Sequence, residues 1–218
     1  MEDRAPQTVV VAAFDVDGTL TTRDCVVPFL IRVAGLRRVA TSALRNPVLL
    51  VRVAVGRGDR DRLKQAVVGR LMRGRTADAV EEAGRAFARE AVSRWIRPDT
   101  LARLRWHRES GHEIVLVSAS LRQYLEPLAS EVLGGVHALI CTEVESSDGG
   151  VLTGHLVGGN CRGSEKSRRL ASWIDGRSVT LYAYGDSSGD REMLAMADHP
   201  VRVRGVSIAT VPDHRVHT

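Results

Sequence analysis

The chain has 218 residues and a mass of 23.8 kDa, which is enough for one domain or for a core with an inserted segment. Hydrophobic residues make up 44% and charged residues 26% of the chain, values that exclude wholesale disorder and a coiled-coil rod. No apolar run approaches the roughly 20 residues that a membrane-spanning helix needs. The three cysteines are scattered and form no CxxC pair, so we expect a reduced, cytoplasmic protein without a disulfide framework.

Positive charge is concentrated in one part of the chain. The net charge is +5, but residues 32–75 hold twelve Arg or Lys and two acids, which gives this segment a charge of +10 and the remainder −5. Such a segment can attract an anionic partner. Arginines that only solvate helix faces are the alternative, and the sequence leaves both interpretations open.

Short apolar runs alternate with helical patterns over much of the chain. Strands are predicted over 8–14, 112–117, 136–142, 179–184 and 200–203. Helices are predicted over 99–110, 121–133, 165–174 and 190–197. This alternation is typical of a doubly wound parallel α/β sheet. The segment 143–157, with Asp148-Gly149-Gly150 inside it, predicts a β-hairpin.

A helical stretch after the first strand interrupts this alternation. The patterns predict helices over 26–39, 43–55, 60–72 and 78–96, separated by glycines and an Asn-Pro pair. We therefore expect a helical cap domain over residues 25–97. Residues 1–24 and 98–218 would then form the α/β core.

Two carboxylates directly follow the first predicted strand. Asp15 and Asp17 lie two residues apart, at the carboxyl end of a strand, where open α/β sheets bind ligands. One acid can attack an electrophile while the other donates and accepts a proton. Gly18 and Thr19 allow the chain to turn closely around an anion, although Asp and Gly are also ordinary turn residues.

A second acidic pair follows the strand predicted over 179–184. Asp186 and Asp190 lie four residues apart across a turn that opens a helix. Carboxylates are the hard oxygen ligands that Mg²⁺ prefers, and acids converging on one crevice repel each other unless a cation is present. An ordinary helix N-cap is the alternative for either acid alone, but the pairing with Asp15 and Asp17 favours a metal site.

A serine and a lysine are candidates for binding an anion. Ser118-Ala119-Ser120 follows the second predicted strand and opens a predicted helix, whose free N–H groups suit phosphate; a helix cap is the alternative. Lys166 begins a helix that would pack on the sheet through Leu170, Trp173 and Ile174. That packing can direct its ammonium along the crevice.

These residues resemble, in order, the four motifs of the haloacid dehalogenase (HAD) superfamily: Asp15-x-Asp17-x-Thr19, Ser118, Lys166 and Gly185-Asp186-x-x-x-Asp190. The chain is similar to subfamily IB, the phosphoserine-phosphatase-like group with a helical cap after the first motif. The segment 160–166 resembles one that is common in the general hydrolase branch of that group. The resemblance extends from about residue 8 to residue 203 and implies a HAD-like Rossmannoid core.

The resemblance implies a Mg²⁺-dependent phosphatase that hydrolyses a phosphate monoester through an aspartyl phosphate. Asp15 would be the nucleophile, and Asp17 would protonate the leaving oxygen and later activate water. Asp15, the backbone carbonyl of Asp17 and Asp186 would hold Mg²⁺, with Asp190 supporting that shell. Residues expected to bind phosphate are Gly18, Thr19, Ser118, Ala119 and Lys166.

Substrate specificity is less defined by the motifs. Asp24 stands where phosphoserine phosphatases have a substrate-binding acid, but their F-x-x-S-L-x-x-R-V segment is replaced here by KQAVVGR over 64–70. Arg162 is an alternative to Lys166 as the third-motif cation and a further specificity candidate. A phosphoserine substrate therefore stays an alternative to another small phosphate monoester.

Two further interpretations follow from the basic segment. Together with the apolar run 47–55, it suggests a lipid-linked substrate resembling phosphatidylglycerophosphate and peripheral membrane contact. A nucleic-acid-binding module is disfavoured, because the chain has only nine aromatic residues and no recognised nucleic-acid motif. Phosphoryl transfer from the aspartyl phosphate to an alcohol, instead of water, stays open, as does the oligomeric state.

Overall fold

The computed structural model describes residues 8–45, 60–203 and 207–208. The apolar run predicted to favour a lipid, over 47–55, lies outside these residues, as does most of the helix predicted over 43–55. Among the described residues, no helix combines the length and the apolar composition that crossing a bilayer requires.

A five-stranded sheet lies at the centre of the protein. In spatial order its strands are β3, β2, β1, β6 and β7, and every neighbouring pair is parallel. Their bounds are β1 Val9–Phe14, β2 Glu113–Leu121, β3 Ala138–Thr142, β6 Val179–Gly185 and β7 His199–Arg202. The expected doubly wound parallel sheet is thus confirmed. Because the strand order reverses between β1 and β6, a crevice opens beyond their carboxyl ends.

Helices flank the sheet and make up most of the described residues between β1 and β2. That interval contains α1 Val26–Ala34, α2 Leu36–Leu44, α3 Arg60–Met72 and α4 Ala77–Phe87. Helix α4 continues through a wider turn (Ala88–Val92) into a single helical turn, Ser93–Trp95. The other helices are α5 Pro98–Glu109, α6 Arg122–Pro127, α7 Ser164–Ile174 and α8 Arg191–Ala195.

The two faces of the sheet bury separate apolar layers. Val11 and Ala13 of β1 face a layer that includes Leu170 of α7. Ala12 and Phe14 face the opposite layer, which continues without interruption into the helices between β1 and β2. This division follows from the period-two alternation of side chains along a strand.

Aromatic rings join the helical segment to the rest of the protein. The ring centroids of Phe29 (α1), Phe87 (α4) and Tyr124 (α6) lie 4.9–5.4 Å apart. At the base of the segment, Thr22 N–H donates to the carbonyl of Trp95 and Arg97 N–H donates to that of Leu20, both at 2.8 Å. The ends of the segment are therefore held side by side, while the domain limits at residues 24/25 and 97/98 stay a prediction.

Two local predictions differ from the structure. The helix predicted over 26–39 is divided at Gly35, whose φ of 85° lies outside the helical region, so α1 and α2 are separate helices. Ser118–Ser120, predicted to open a helix, lies instead in β2, which extends beyond the predicted range of 112–117, and the helix predicted over 121–133 begins at Arg122. Strand β2 stays extended to Leu121 through an irregular register with β3, and the Ser118 hydroxyl accepts a hydrogen bond from Ser120 N–H within it.

The predicted hairpin is present and attaches to the helical segment. Its strands, β4 (Val144–Ser146) and β5 (Leu152–Leu156), are antiparallel. Leu152 exchanges backbone hydrogen bonds with the turn after α3, accepting from Gly74 N–H at 2.9 Å and donating to the Arg75 carbonyl at 2.8 Å. The hairpin thereby supports α3.

Candidate active site

A cleft of about 450 Å³ opens at the carboxyl ends of β1 and β6. All the site residues predicted from the sequence line it except Thr19, although they come from five separated parts of the chain. These lining residues are Asp15, Asp17, Gly18, Asp24, Ser118, Ala119, Arg162, Lys166, Asp186 and Asp190. Four further lining residues were not predicted: Thr22, Arg23, Lys64 and Ser187. The strand order therefore brings the motifs together as expected.

Asp15 and Lys166 form a buried ion pair at the bottom of the cleft. Lys166 Nζ donates to Asp15 Oδ1 at 2.5 Å and to Asp190 Oδ1 at 2.6 Å. The three side chains are at most 7% exposed. A buried charge is costly unless it is paired, so the ammonium and the two carboxylates depend on one another.

The pKa values within this group reflect burial and charge. Burial raises the pKa of Asp15 to about 7, with Asp190 adding repulsion and Lys166 opposing both. For Lys166, burial acts against the charged form, but Asp15 and Asp190 together hold its pKa above the ordinary value. Burial likewise acts against ionised Asp190, yet Lys166 and the hydrogen bonds from Ser187 keep its pKa low. Lys166 and Asp190 are thus a charged pair, and Asp15 titrates nearest to neutral pH.

Asp17 is placed by a wide turn that follows β1. Gly18 has a φ of 86°, and a Cβ there would collide with the Asp186 carboxylate, so the turn requires glycine. Asp17 Oδ2 accepts a hydrogen bond from Ser120 Oγ at 2.6 Å, and Oδ1 accepts one from Cys25 N–H at 3.2 Å. Burial, followed by repulsion from Asp24, raises the pKa of Asp17 to about 6.

Three acids, of which Asp15 is one, converge in a way that fits a divalent cation. Carboxylate oxygens of Asp15, Asp186 and Asp190 lie within 4.8 Å of one another. Asp186 Oδ1 is buried and has no hydrogen-bond partner among the described residues. Burial, followed by repulsion from Asp190, raises the pKa of Asp186. A buried carboxylate oxygen without a partner, beside a second acid, is the donor set that a hard cation neutralises.

Asp190 differs from the other two acids because both of its oxygens are engaged. Oδ1 accepts from Lys166, and Oδ2 accepts from the backbone N–H and the hydroxyl of Ser187, each at 2.9 Å. Its position therefore suits support of the neighbouring groups better than direct contact with a cation. Asp15 and Asp186 have the better-placed oxygens for that contact.

The predicted phosphate-binding residues divide into two sets. Gly18, Ser118 and Ala119 border the cleft, with Ser118 almost fully buried. Thr19 is fully buried below the turn, does not line the cleft, and its hydroxyl has no hydrogen-bond partner among the described residues. The sequence shows that Thr19 belongs to the first motif but not that the turn directs its side chain inward.

The predicted specificity residues also have structural contacts. Asp24 Oδ1 accepts from the N–H groups of Val26 and Val27, so this carboxylate caps α1 while it borders the cleft. Arg162 borders the cleft and donates to Ser188 Oγ at 3.4 Å. Both residues combine a position in the cleft with a role in local structure.

Among the polar side chains of the cleft region that sequence reasoning missed, three make contacts that matter for the site. Ser120 stands two residues after Ser118 and is the hydrogen-bond donor to Asp17. Arg23 lies over the ring of Trp95, 4.7 Å from its centroid, and Lys64 donates to the Ala119 carbonyl at 2.8 Å. Ser120 and Arg23 lie next to the motifs, which is a usable signal. Lys64 lies 55 residues from its partner, and only the packing of α3 brings the two together.

Comparison with known proteins places these motifs in one family. Residues 12–195 match the family described as haloacid dehalogenase-like hydrolase. Protein CicA of Caulobacter vibrioides is 40% identical over 190 residues, which cover 87% of this chain and 83% of that protein. A histidinol-phosphatase of Neisseria meningitidis is 27% identical over 200 residues, covering 88% and 89% of the two chains.

The fold is similar to that of a solved phosphatase. The crystal structure of a phosphoserine phosphatase from T. onnurineus is 25% identical in sequence and superposes with a TM-score of 0.55. The match covers 90% of this chain and 85% of that one. The resemblance noted from the motifs is thereby confirmed over nearly the whole chain.

Proposed function

Because this chain belongs to the haloacid dehalogenase-like hydrolases, we propose that it is a Mg²⁺-dependent phosphatase that hydrolyses a phosphate monoester through an aspartyl phosphate. The observation that carries the proposal is the group of Asp15, Asp186 and Lys166 in one cleft. It combines a nucleophile, a pair of acids for a cation and a buried cation in one place. The match to a histidinol-phosphatase and a phosphoserine phosphatase supports the reaction class.

Asp15 is the proposed nucleophile. Lys166 engages Oδ1, so Oδ2 is the oxygen that would attack phosphorus. The bond from Oδ2 to phosphorus forms as the bond from phosphorus to the leaving oxygen breaks. Covalent catalysis of this kind divides one difficult displacement into two easier ones. The ion pair with Lys166 also fixes the direction of the carboxylate, which positioning catalysis requires.

Asp17 is the proposed proton donor and acceptor. Its carboxylate is held by Ser120 Oγ and Cys25 N–H, so it points into the cleft with little freedom. A pKa of about 6 suits a group that gives a proton to the leaving oxygen and then takes one from water. That water hydrolyses the phosphoryl group from Asp15 and regenerates the carboxylate.

Asp15, Asp186 and the backbone carbonyl of Asp17 would hold Mg²⁺. The bound ion would neutralise charge on the phosphoryl oxygens and on the acids themselves. Asp190 orients Lys166 through their hydrogen bond and receives two hydrogen bonds from Ser187. Ser118 and Lys166 would bind phosphoryl oxygens, with Gly18 and Ala119 at the border of that subsite.

We propose a small phosphate monoester as the substrate. The cleft of about 450 Å³ has the volume of a small-molecule site, and Asp24 and Arg23 border it with opposite charges. Phosphoserine stays an alternative, and histidinol phosphate is a second one suggested by the Neisseria relative. The apolar run over 47–55, one of the two features that suggested a lipid substrate, lies outside the described residues, and no contact among the described residues favours such a substrate. Three buried free thiols support the cytoplasmic location included in this proposal.

The test is phosphate release from a panel of esters by the purified protein. The panel contains p-nitrophenyl phosphate, phosphoserine, histidinol phosphate and a short-chain phosphatidylglycerophosphate, each with Mg²⁺ or with EDTA. We expect release from at least one water-soluble ester that depends on Mg²⁺, and the ratios of kcat/KM identify the preferred leaving group. Release that continues unchanged under thorough chelation contradicts the metal assignment, and release stimulated by added alcohols indicates phosphoryl transfer.

A further inference from the structure

The two lysines of this chain occupy the same cleft. The chain has 31 basic Lys or Arg residues, of which 29 are arginine, and the lysines are Lys64 and Lys166. Both line the cleft at the carboxyl end of β1. Lysine is a compact point charge with three donors, whereas arginine is a broad planar fork, so the two are not interchangeable at a confined site. The use of lysine at these two positions alone indicates a steric requirement at each.

Lys64 contacts the part of the core that holds Asp17. Its Nζ donates to the carbonyl of Ala119 at 2.8 Å. Ala119 lies between Ser118 and Ser120, and Ser120 Oγ donates to Asp17 Oδ2 at 2.6 Å. A short chain of contacts thus connects the ammonium of Lys64 to the carboxylate of Asp17.

Lys64 enters the cleft from the helical segment. Of the described residues that line the cleft, it is the one that comes from the helices between Val26 and Trp95. Its helix, α3, is seated on β5 by direct backbone contact, since a Cβ on Gly69 would lie 2.5 Å from the Gly154 carbonyl oxygen. Lys64 stands five residues before Gly69, so this seat controls how far its side chain reaches toward the core.

We propose that Lys64 is a positioning residue, which holds Ser118–Ser120 against α3 and thereby orients the Ser120 hydrogen bond to Asp17. This inference rests on the proposed function, in which Asp17 transfers the proton. Proton transfer is sensitive to displacement on the scale of 1 Å, so loosening this segment slows the reaction without removing a reacting group. The packing of α3 on β5 is in this way coupled to proton transfer by Asp17.

The test compares Lys64→Met with a matched variant directly after the same helix, Arg73→Met. Arg73, the residue after the end of α3, also donates to a backbone carbonyl, that of Thr153, but it does so on the hairpin and outside the cleft. With p-nitrophenyl phosphate and saturating Mg²⁺, we expect Lys64→Met to lower kcat by about 10- to 100-fold, with KM changed less than about 3-fold. Arg73→Met should stay within about 2-fold of the wild type in both constants.

A second readout does not require activity. Hydrogen exchange of the backbone amides over 118–122 should become faster in Lys64→Met and stay unchanged in Arg73→Met, because only the first variant loses the contact with Ala119. Lys64→Gln, which retains a hydrogen-bond donor, should restore part of the protection. If the wild type releases no phosphate from any ester, the proposed function fails, whereas the exchange measurement still decides the role of Lys64.

A double variant tests the route of the effect. If Lys64 acts through Ser120, the losses in kcat from Lys64→Met and Ser120→Ala should not add in the double variant. Fully additive losses would overturn the proposal. So would a Lys64→Met protein with wild-type kcat, a raised KM and unchanged exchange over 118–122, because that result describes a cation that binds substrate directly.

Discussion

The charged side chains at the carboxyl edge of the sheet differ in burial and pairing from those of the helical segment between Val26 and Trp95. At the edge, Asp15, Lys166 and Asp190 are buried and paired with one another. In the helical segment, most of the arginines whose burial the structure describes are exposed, Arg37 and Arg38 among them. The number of charges in a region therefore says little about where the chemistry lies. Burial and pairing are better indicators.

The two regions also differ in what their ion pairs contribute. Arg32 and Glu90 of the helical segment are 3.0 Å apart, but their side chains are 37% and 61% exposed. Exposed pairs of this kind contribute about 0–1 kcal/mol to stability. Removing one partner of a buried pair lowers stability several-fold more, because the other charge is left buried without compensation. Four predictions test this contrast, in order of decreasing effect.

The largest effect is expected from Asp15→Asn. The amide cannot attack phosphorus, so we expect kcat with p-nitrophenyl phosphate to fall by about 10⁴-fold or more. The substitution retains the shape of the side chain, and thermal unfolding should show that the protein stays folded. A rate near that of the wild type would remove Asp15 from the role of nucleophile.

Asp186→Asn should weaken the stabilisation by Mg²⁺ without destabilising the metal-free protein. Without metal, the variant should melt at the same temperature as the wild type or higher, because a buried carboxylate facing Asp190 is neutralised. Mg²⁺ at 100 times its dissociation constant stabilises a folded protein by about 2.7 kcal/mol, so we expect a clear increase in Tm for the wild type. This increase should be much smaller in the variant. Equal increases for the two proteins would place the cation elsewhere.

The layer below the cleft should make stability dependent on pH. His107 is fully buried, and its Nε2 and the Tyr184 hydroxyl are 2.8 Å apart; Tyr184 also stacks on Phe14. Burial, followed by repulsion from His112 and Arg103, lowers the pKa of His107 from about 6.5 to about 3. Below pH 6.5 the unfolded chain therefore binds a proton that the folded chain does not. The free energy of unfolding should therefore decrease as the pH is lowered, by about 2 kcal/mol between pH 7 and pH 5.

Urea unfolding at pH 7, 6 and 5 measures this dependence. His107→Gln should be less stable than the wild type at pH 7 but should lose less stability between pH 7 and pH 5. His155→Gln is the matched control, because His155 is exposed on β5 and its removal should leave the slope unchanged. Parallel curves for the wild type and His107→Gln would show that another group carries the proton.

The smallest effect is expected from reversing charges on the helical segment. In the double variant Arg37→Glu and Arg38→Glu, two exposed side chains of α2 that do not line the cleft change sign. We expect kcat/KM for p-nitrophenyl phosphate within about 2-fold of the wild type and a stability change within about 0.5 kcal/mol. A selective loss of activity toward the phosphatidylglycerophosphate ester would instead reveal a substrate role for this basic surface.

Much of the core could be predicted because its determinants are local. The apolar runs that end at Asp15 and Asp186 are buried parallel strands, and parallel strands end at one edge, so the two acids had to meet there. Membership in the family is confirmed by the match over residues 12–195. The hydrophobic pattern of each strand and the identity of the residue after it predict the strand and its acid without any tertiary contact.

Other features were decided by the tertiary structure. Thr19 is the last residue of the first motif, but the turn at Gly18 directs its side chain into the interior. Ser118 is held in the extended end of β2 instead of at a helix start, because β2 continues beside β3 as far as Leu121. In both places the side-chain direction depends on backbone dihedrals that composition and periodicity do not encode.

By itself, the sequence determined the strands, the order of the motifs along the chain and the acids at the strand ends, since each depends on neighbours a few residues away. Only the tertiary structure decided that Ser120 supports Asp17 and that Lys64 reaches Ala119 from α3. Ser120 and Asp17 are separated by 103 residues along the chain, and Lys64 and Ala119 by 55. Contacts at such separations depend on how helices pack on a sheet, and the packing arises from the whole buried surface and not from any local pattern.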